Sequence, residues 1–180
     1  FSGLGHVVSH LPLLNIEKVL YDPKVILGCR GLIFTSANAI KFLDTKEIDK
    51  NIKCFCVGLA TEKKAKNIGF QNIISAEGNV RNLKELILQN FKPSDGNIVY
   101  VSGEIISSDL DQELINEGYS VKRIINYKTN PNQNYDINFI ENLKVNTPDI
   151  IYIYSYNSAL SLLNFIKNER LETLWMDTNL

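Results

Sequence analysis

The sequence predicts an α/β protein built on doubly wound parallel sheets. Between Gly31 and Thr129, short apolar runs rich in β-formers alternate with helical patterns, and two of these patterns end in glycine, at Gly69 and Gly118. Five strands with four intervening helices require a parallel sheet that is covered by helices on both faces. A segment of about a hundred residues is long enough for one complete doubly wound unit of flavodoxin-like size.

Each element of this central unit has its own local pattern. We expect strands at 31-GLIFTS-36, 52-IKCFCVG-58, 72-NIISA-76, 97-NIVYVSG-103 and 120-SVKRIINYKT-129. We expect helices at 38–43, 61–69, 80–91 and 108–118.

The two flanks of this unit are each too short to form a domain alone. We expect strands at 6–14 and 149–155, helices at 137–143 and 157–168, and a polar, turn-rich linker at 130–138. A lobe made from both chain ends, with the other lobe inserted, accounts for this pattern. The predicted domains are therefore 16–125 (complete inserted lobe) and 1–15 with 130–180 (partial second lobe), with linkers near 14–17 and 125–131.

An internal repeat supports two related halves. The segment 33-IFTSANAIKFL-43 aligns with 152-YIYSYNSALSLL-163 as an apolar strand, a serine, an asparagine and then a helix. In this alignment Ser36 matches Ser155 and Asn38 matches Asn157.

Composition narrows the class of protein. The 180 residues are 44% hydrophobic and carry a net charge of −1, which argues against a nucleic-acid binder. We find no apolar run of the roughly 20 residues that a membrane span needs, and no signal-peptide pattern. Cys29, Cys54 and Cys56 are interpreted as buried core thiols rather than as metal ligands or disulfides. We therefore expect a reduced, cytoplasmic, soluble protein.

Small and polar residues follow each predicted strand at one edge of the sheet. They occupy 35–38, 58–61, 77–79 and 102–104. Ligands of open parallel sheets bind outside the carboxyl ends of the strands, where helix N-termini favour anions. Taken singly, a residue such as Ser36 is better explained as a helix N-cap than as a ligand contact. Their placement together favours a rim for carboxylate or phosphate groups.

The sequence carries few other signatures of chemistry. It has no GxGxxG, P-loop or GxSxG motif, and His6 and His10 are best interpreted as structural or solvent-facing. Tyr127 lies where the last strand of the central unit leaves for the linker. It is either a packed strand tyrosine or a phenol at a domain junction that donates a proton or hydrogen bond.

Taken in order along the chain, these motifs resemble those of the uroporphyrinogen-III synthase family. The motifs are 5-GHVVSHLPLL-14, 31-GLIFTSANAIKFL-43, 57-VGLATEKKAKNIGF-70, 76-AEGNVRNLKELI-87, 99-VYVSGEIISSDLDQELINEGYSV-121 with 127-YKTNP-131, and 150-IIYIYSYNSALSLL-163. The resemblance implies two flavodoxin-like lobes joined by a two-stranded linker, with the substrate in the cleft between them. Relative to the family, the pattern lacks a strand before Gly5 and further elements after Trp175, so we expect an incomplete terminal lobe.

The resemblance also implies a reaction. A hydro-lyase of this family cyclises hydroxymethylbilane, a small-molecule tetrapyrrole with eight carboxylates, without a cofactor, and inverts ring D to give uroporphyrinogen III in haem biosynthesis. Tyr127 is the candidate catalytic residue, and we expect a monomer when the protein is complete, with no membrane or nucleic-acid partner. The alternative is a degenerate, non-catalytic module that binds an anionic tetrapyrrole or another small anion. The residues expected to bind substrate are Thr35, Ser36, Asn38, Thr61, Gly78, Asn79, Ser102, Gly103 and Ser155.

Overall fold

The computed structural model describes residues 2–178 of the chain. Within this range the chain forms six β-strands, six α-helices and three short 3-10 helices (Ser2–Leu4, Pro23–Ile26 and Pro93–Asp95). The strands are β1 (Leu14–Lys18), β2 (Gly31–Phe34), β3 (Lys53–Val57), β4 (Asn72–Ala76), β5 (Ile98–Gly103) and β6 (Val121–Pro131). The α-helices are α1 (Ala37–Lys41), α2 (Leu59–Asn67), α3 (Val80–Asn90), α4 (Leu110–Asn116), α5 (Ile137–Val145) and α6 (Tyr156–Asn168). No helix of the described residues is long and apolar enough to cross a membrane.

The strands form one sheet in the order β1-β6-β5-β2-β3-β4. All neighbours from β6 to β4 pair in parallel, with Gly31 of β2 opposite Lys53 of β3 and Ile98 of β5. The predicted α/β class with a mostly parallel sheet is therefore confirmed. The strand order differs from that of flavodoxin, because β3 and β4 lie on one side of β2 while β5 and β6 lie on the other. The chain thus reverses its direction of winding between β2 and β5.

The alternation of side chains along the central strands produces two cores. On one face, Leu32 and Phe34 pack with helices α1 and α2, and we call this cluster core A. On the other face, Ile33 and Tyr100 pack with helices α3 and α4, and we call this cluster core B. Burial of both faces explains why these strands are almost continuously apolar.

The chain divides into two compact units. One comprises Ile16–Thr129, and the other comprises the residues up to Asn15 together with those from Asn130 onwards. Strands β1 and β6, which are neighbours in the sheet, both cross this division. The segments predicted as linkers, near 14–17 and 125–131, are therefore β-strands. The turn-rich linker predicted at 130–138 begins only after Pro131, where β6 ends.

The unit formed by the chain ends has a small aromatic core. Its buried members lie on α5, on α6 and in the segment that follows α6, and the rings of Tyr135 and Phe165 meet edge to face at 4.6 Å. They are Leu143, Leu162, Phe165, Leu171 and Trp175.

Two strands predicted in this unit are not observed. Residues 6–13 have no strand assignment and most are exposed; Pro12, which has no N–H to donate, interrupts the run. Residues 151–155 are also unassigned, with only an isolated bridge at Ile150. Ile151 and Ile153 pack against the aromatic core while Tyr154 is 89% exposed, so only one face of this segment is covered. The strand predicted at 149–155 is therefore not formed.

The three cysteines are buried in core A as free thiols. Burial raises the pKa of Cys29 to about 11 and that of Cys56 to about 12, and it also raises the pKa of Cys54. Among residues 2–178, no group of three metal-ligating side chains occurs. The interpretation of these residues as core thiols is confirmed.

Candidate functional site

The carboxyl ends of β2 and β5 lie side by side at the point where the winding of the sheet reverses. Ligands of open α/β sheets bind at such a reversal. Thr35 directly follows β2, and its Oγ1 lies 3.0 Å from the hydroxyl of Tyr100 on β5. Burial raises the pKa of Tyr100, and the hydrogen bond to Thr35 and the charge of Arg123 oppose that rise. A neutral hydroxyl pair therefore occupies this edge on the side of core B.

An arginine of β6 organises the last residues of β5. Arg123 Nε donates to Ser102 Oγ at 2.8 Å, and Nη2 donates to the carbonyl oxygens of Gly103 at 2.8 Å and Glu104 at 2.9 Å. The Ser102 hydroxyl in turn donates to the Gly103 carbonyl at 3.0 Å. Ser102, predicted to contact substrate, is only 1% exposed, so its hydroxyl serves this network.

Arg123 is a cation with neutral partners. The ion pairs found within residues 2–178 do not include it, and its hydrogen-bond acceptors are a hydroxyl and two carbonyl groups. No carboxylate of residues 2–178 therefore neutralises its charge at close range. A half-buried guanidinium of this kind attracts anions, and Nη1, which takes no part in these three hydrogen bonds, can donate to one.

Tyr127 lies over Gly103 on the opposite side of the sheet edge. A Cβ atom added to Gly103 would lie 2.6 Å from Tyr127 Cζ and 2.9 Å from its hydroxyl oxygen. The ring also packs against core A. Within the described chain, no hydrogen bond engages the Tyr127 hydroxyl. Gly103 was predicted to contact substrate, and in the structure the space beside its Cα holds the tyrosine ring.

The other predicted residues of the rim behave mainly as helix caps. Ser36 Oγ accepts from the N–H of Asn38 at 3.2 Å and caps α1, and Asn79 Oδ1 accepts from the N–H of Asn82 at 3.1 Å and caps α3. Thr61 is only 4% exposed on α2, so little of its side chain is accessible to a ligand. Gly78, with a φ of 101°, occupies the left-handed region that favours glycine.

Ser155 repeats the role of Ser36 in the other unit. Its Oγ accepts from the N–H of Ser158 at 3.2 Å and caps α6, and its side chain is exposed. The two serines adopt nearly the same backbone angles: φ −151° and ψ 143° for Ser36, φ −153° and ψ 154° for Ser155.

The structure brings together only part of the predicted set. Thr35 follows β2, Gly103 ends β5, and Tyr127 lies within β6 opposite Gly103, on three neighbouring strands. Gly78 and Asn79 follow β4, which lies two strands beyond β2, so they are about 10 Å further along the edge at the usual strand spacing. The candidate site is therefore centred on β2, β5 and β6.

Two members of this site were missed by reasoning from sequence. Tyr100 lies inside an apolar run, where a tyrosine is usually only a core residue. Arg123 lies inside a strand, directly before Ile124 and Ile125, and an arginine at such a position is a signal in itself because a half-buried cation needs several acceptors. The apolar pattern of the strand is enough to make Arg123 conspicuous in the sequence. It does not indicate which groups accept its hydrogen bonds.

Comparison with known proteins identifies the family to which the chain belongs. A family model described as uroporphyrinogen-III synthase HemD matches residues 1–178. The chain belongs to the uroporphyrinogen-III synthase family. Members of this family are cyclising lyases of porphyrin biosynthesis, and membership supports this activity over the alternative of a non-catalytic module. No curated protein sequence matches the chain.

Solved structures of this family share the fold. A crystal structure of uroporphyrinogen-III synthetase from Helicobacter pylori 26695 is similar with a TM-score of 0.60 at 20% identity, over 86% of this chain and 70% of the other. A mutant uroporphyrinogen III synthase from the extremely thermophilic bacterium Thermus thermophilus is similar with a TM-score of 0.54 at 16% identity, over 85% of this chain and 65% of the other. The chain thus spans about two thirds of the length of these two relatives.

Proposed function

We propose that this chain performs the synthase reaction of its family on hydroxymethylbilane. The substrate loses its hydroxyl as water, and the resulting azafulvene attacks the substituted carbon of ring D. The spiro intermediate then opens and recloses with ring D inverted, which gives uroporphyrinogen III. The observation that carries the proposal is the meeting of Arg123, Gly103 and Tyr127 at the winding reversal of a chain in this family.

The charge at this edge suits a substrate with eight carboxylates. Arg123 carries a positive charge that is not paired with a carboxylate of the described residues. Backbone N–H groups beside Ser36 and Asn79 supply further donors without net charge. Such a rim binds anions although the whole chain has a net charge of only −1.

Tyr127 is proposed to assist the departure of the substrate hydroxyl. A phenol is a hydrogen-bond donor at neutral pH, and the Tyr127 hydroxyl has no acceptor among residues 2–178. General acid catalysis typically contributes about 10²- to 10⁴-fold to rate. The larger contribution comes from holding a flexible tetrapyrrole in one geometry, because orientation supplies up to about 7–11 kcal/mol in favourable cases.

Several expectations from the sequence belong to the same proposal. They are a complete protein with two α/β lobes of flavodoxin-like type, a cofactor-free reaction, a cytoplasmic location and a monomeric state. The free, buried cysteines are consistent with a reducing compartment. Binding of substrate by Asn38, Thr61 and Ser155 stays a prediction.

A product assay tests the proposal directly. The protein is supplied with hydroxymethylbilane, and uroporphyrinogens I and III are separated after oxidation, because uncatalysed closure without inversion gives type I. We expect type III from the parent and a loss of turnover of about 10²-fold or more in Tyr127→Phe.

The matched control is Tyr119→Phe. Tyr119 is a buried tyrosine whose hydroxyl donates to the Phe91 carbonyl at 2.8 Å, and it lies just before the start of β6 rather than opposite Gly103. We expect it to keep the type III product. Type I alone from a folded parent refutes the activity, and equal rates in Tyr127→Phe remove Tyr127 from the chemistry.

A further inference from the structure

Strand β6 contains a β-bulge directly before Tyr127. Ser102 of β5 lies opposite Ile125, but the next residue, Gly103, lies opposite Tyr127. Asn126 is therefore the extra residue of β6. A bulge adds one residue to a strand and changes the direction of the side chain that follows it, and bulges are frequent beside active sites.

The bulge changes the face on which Tyr127 lies. Val121 packs against core B and Ile124 against core A, as the alternation of a regular strand requires. Continued without interruption, this alternation would direct Tyr127 towards core B, the side of Val121. Tyr127 instead packs against core A and over Gly103. The additional residue accounts for the change of face.

The side chain of Asn126 fixes the bulge to the helix after β2. Asn126 is 0% exposed, and its Nδ2 donates to the carbonyl oxygen of Ala39 at 2.6 Å. Ala39 lies on α1, the short helix that begins just after Thr35 and Ser36. The main-chain oxygen of Asn126 also accepts from the N–H of Val19 at 2.9 Å. Asn126 thus connects β6 to the segment that follows the carboxyl end of β2.

The side-chain oxygen of Asn126 argues against a role of this residue in packing alone. Asn126 Oδ1 is buried and has no hydrogen-bond partner among the described residues. An unsatisfied buried acceptor is unfavourable, so packing alone favours an apolar residue here. The amide is explained by the one bond that Nδ2 makes to Ala39.

We propose that Asn126 is the positioning residue for Tyr127. By holding the bulge against Ala39, it keeps the phenol over Gly103 at the edge where β2 and β5 meet, instead of on the core B side of the sheet. This inference rests on the proposed function in assigning a catalytic use to that position. The position itself is testable without any activity.

The first test is structural and uses protein carrying ¹³C-labelled tyrosine. The Tyr127 ring signal is assigned by its disappearance in Tyr127→Phe, and a nuclear Overhauser effect is sought between this ring and the Hα atoms of Gly103. We expect the effect in the parent and in Asn130→Ala, a matched change further along β6, and its loss in Asn126→Ala. Absence of the effect in the folded parent, or its persistence in Asn126→Ala, overturns the proposal.

The second test asks whether Asn126 acts through Tyr127. We expect Asn126→Ala to lower kcat by about 10- to 100-fold, as a displacement of about 1 Å can do, with little change in KM. In the double variant that carries both Tyr127→Phe and Asn126→Ala, kcat is expected to equal that of Tyr127→Phe alone. A residue that only supported the fold would lower activity by the same factor in both backgrounds, and that result overturns the proposal.

Failure of the two proposals is distinguishable. A parent that forms only type I product refutes the synthase activity. The nuclear Overhauser effect between the Tyr127 ring and Gly103 still decides the position of Tyr127 in that case. If Asn126→Ala does not fold, Asn126→Leu keeps the branching of the side chain at Cγ and has no donor to offer the Ala39 carbonyl. It is then measured in both tests, with the same expected losses.

Discussion

Substitution of Gly103 by alanine is the sharpest perturbation of this site. The new Cβ would lie 2.6 Å from Tyr127 Cζ, 2.8 Å from Cε2 and 2.9 Å from the hydroxyl oxygen. Carbon atoms in contact are normally about 3.5–4.0 Å apart, so the ring has to retreat by about 1 Å. The backbone of Gly103 cannot yield easily, because Arg123 holds its carbonyl and the next residue, Glu104, donates its N–H to the Tyr127 carbonyl at 3.0 Å.

The expected consequences of Gly103→Ala are unequal for stability and for activity. Overpacking of this size typically costs about 1–3 kcal/mol, which a folded domain usually tolerates. A displacement of about 1 Å in a catalytic group can lower the rate by about 10²-fold. We therefore expect a folded variant whose rate of type III formation falls by about two orders of magnitude, measured by product separation after reaction with hydroxymethylbilane.

Gly31→Ala provides the matched control. Gly31 is also a buried glycine of a central strand, and its added Cβ would meet Phe91 Cε2 at 3.2 Å, but it lies at the amino end of β2. We expect a comparable or smaller loss of stability and an unchanged share of type III product. If Gly103→Ala forms type III at the parent rate, the position of the phenol does not matter, and the assignment of Tyr127 falls with it.

Three further predictions concern the cation, a thiol and the smaller core. Arg123→Met is expected to raise the KM for hydroxymethylbilane several-fold. The control is Lys122→Met, a change at the exposed neighbouring residue, which should leave KM unchanged. Equal KM values in the two variants would contradict a binding role for Arg123. Because burial raises the pKa of Cys29 from 9.0 to about 11, the folded state retains a proton that the unfolded state loses above pH 9. Cys29 alone should therefore lower the free energy of unfolding by up to about 3 kcal/mol between pH 9 and 11, in addition to the fall caused by Cys54 and Cys56. The fall should be smaller in Cys29→Ala, and urea titrations with equal slopes against pH would contradict this. Leu162 on α6 is 1% exposed, and Leu162→Ala should lower the free energy of unfolding by about 2–5 kcal/mol, measured by the fluorescence of the single tryptophan. Leu160 is 43% exposed, and Leu160→Ala should lower it far less. Equal losses in the two variants would contradict the observed packing of Leu162.

The regular part of the fold follows from local patterns in the sequence. Strand β4 occupies Asn72–Ala76 as predicted, and α3 begins at Val80 as predicted, because the apolar spacing and the Asn79 cap are local signals. The repeat that pairs Ser36 with Ser155 likewise corresponds to two equivalent helix caps.

The candidate site depends instead on contacts between distant residues. In the sequence, Arg123 and Tyr127 are an even number of positions apart, so a regular strand would place both on one face. The bulge separates them, and it is tied by a bond from Asn126 to Ala39, 87 residues away in the chain. A pattern within one strand contains no information on such a contact.

The failed strand at 149–155 has a related cause. Its alternating isoleucines and tyrosines favour a half-buried extended segment, and the isoleucines do pack on the aromatic core. A strand, however, also needs a neighbouring strand to pair with, and within residues 2–178 only the bridge at Ile150 is formed in this segment. The local pattern therefore decides which side chains are covered, and long-range pairing decides whether the segment is a strand.

The burial of the three thiols makes the larger unit its own chemical reporter. Cys29, Cys54 and Cys56 all lie in core A, and the chain has no other cysteine, so a thiol reagent reacts only when this core opens. Its reaction rate thus measures the free energy of local opening of the sheet with α1 and α2, under native conditions and without any engineered label. The single tryptophan, Trp175, lies in the other unit and reports on that core alone. Opening of each unit can therefore be timed separately in one sample, which reveals whether the two unfold as one cooperative body.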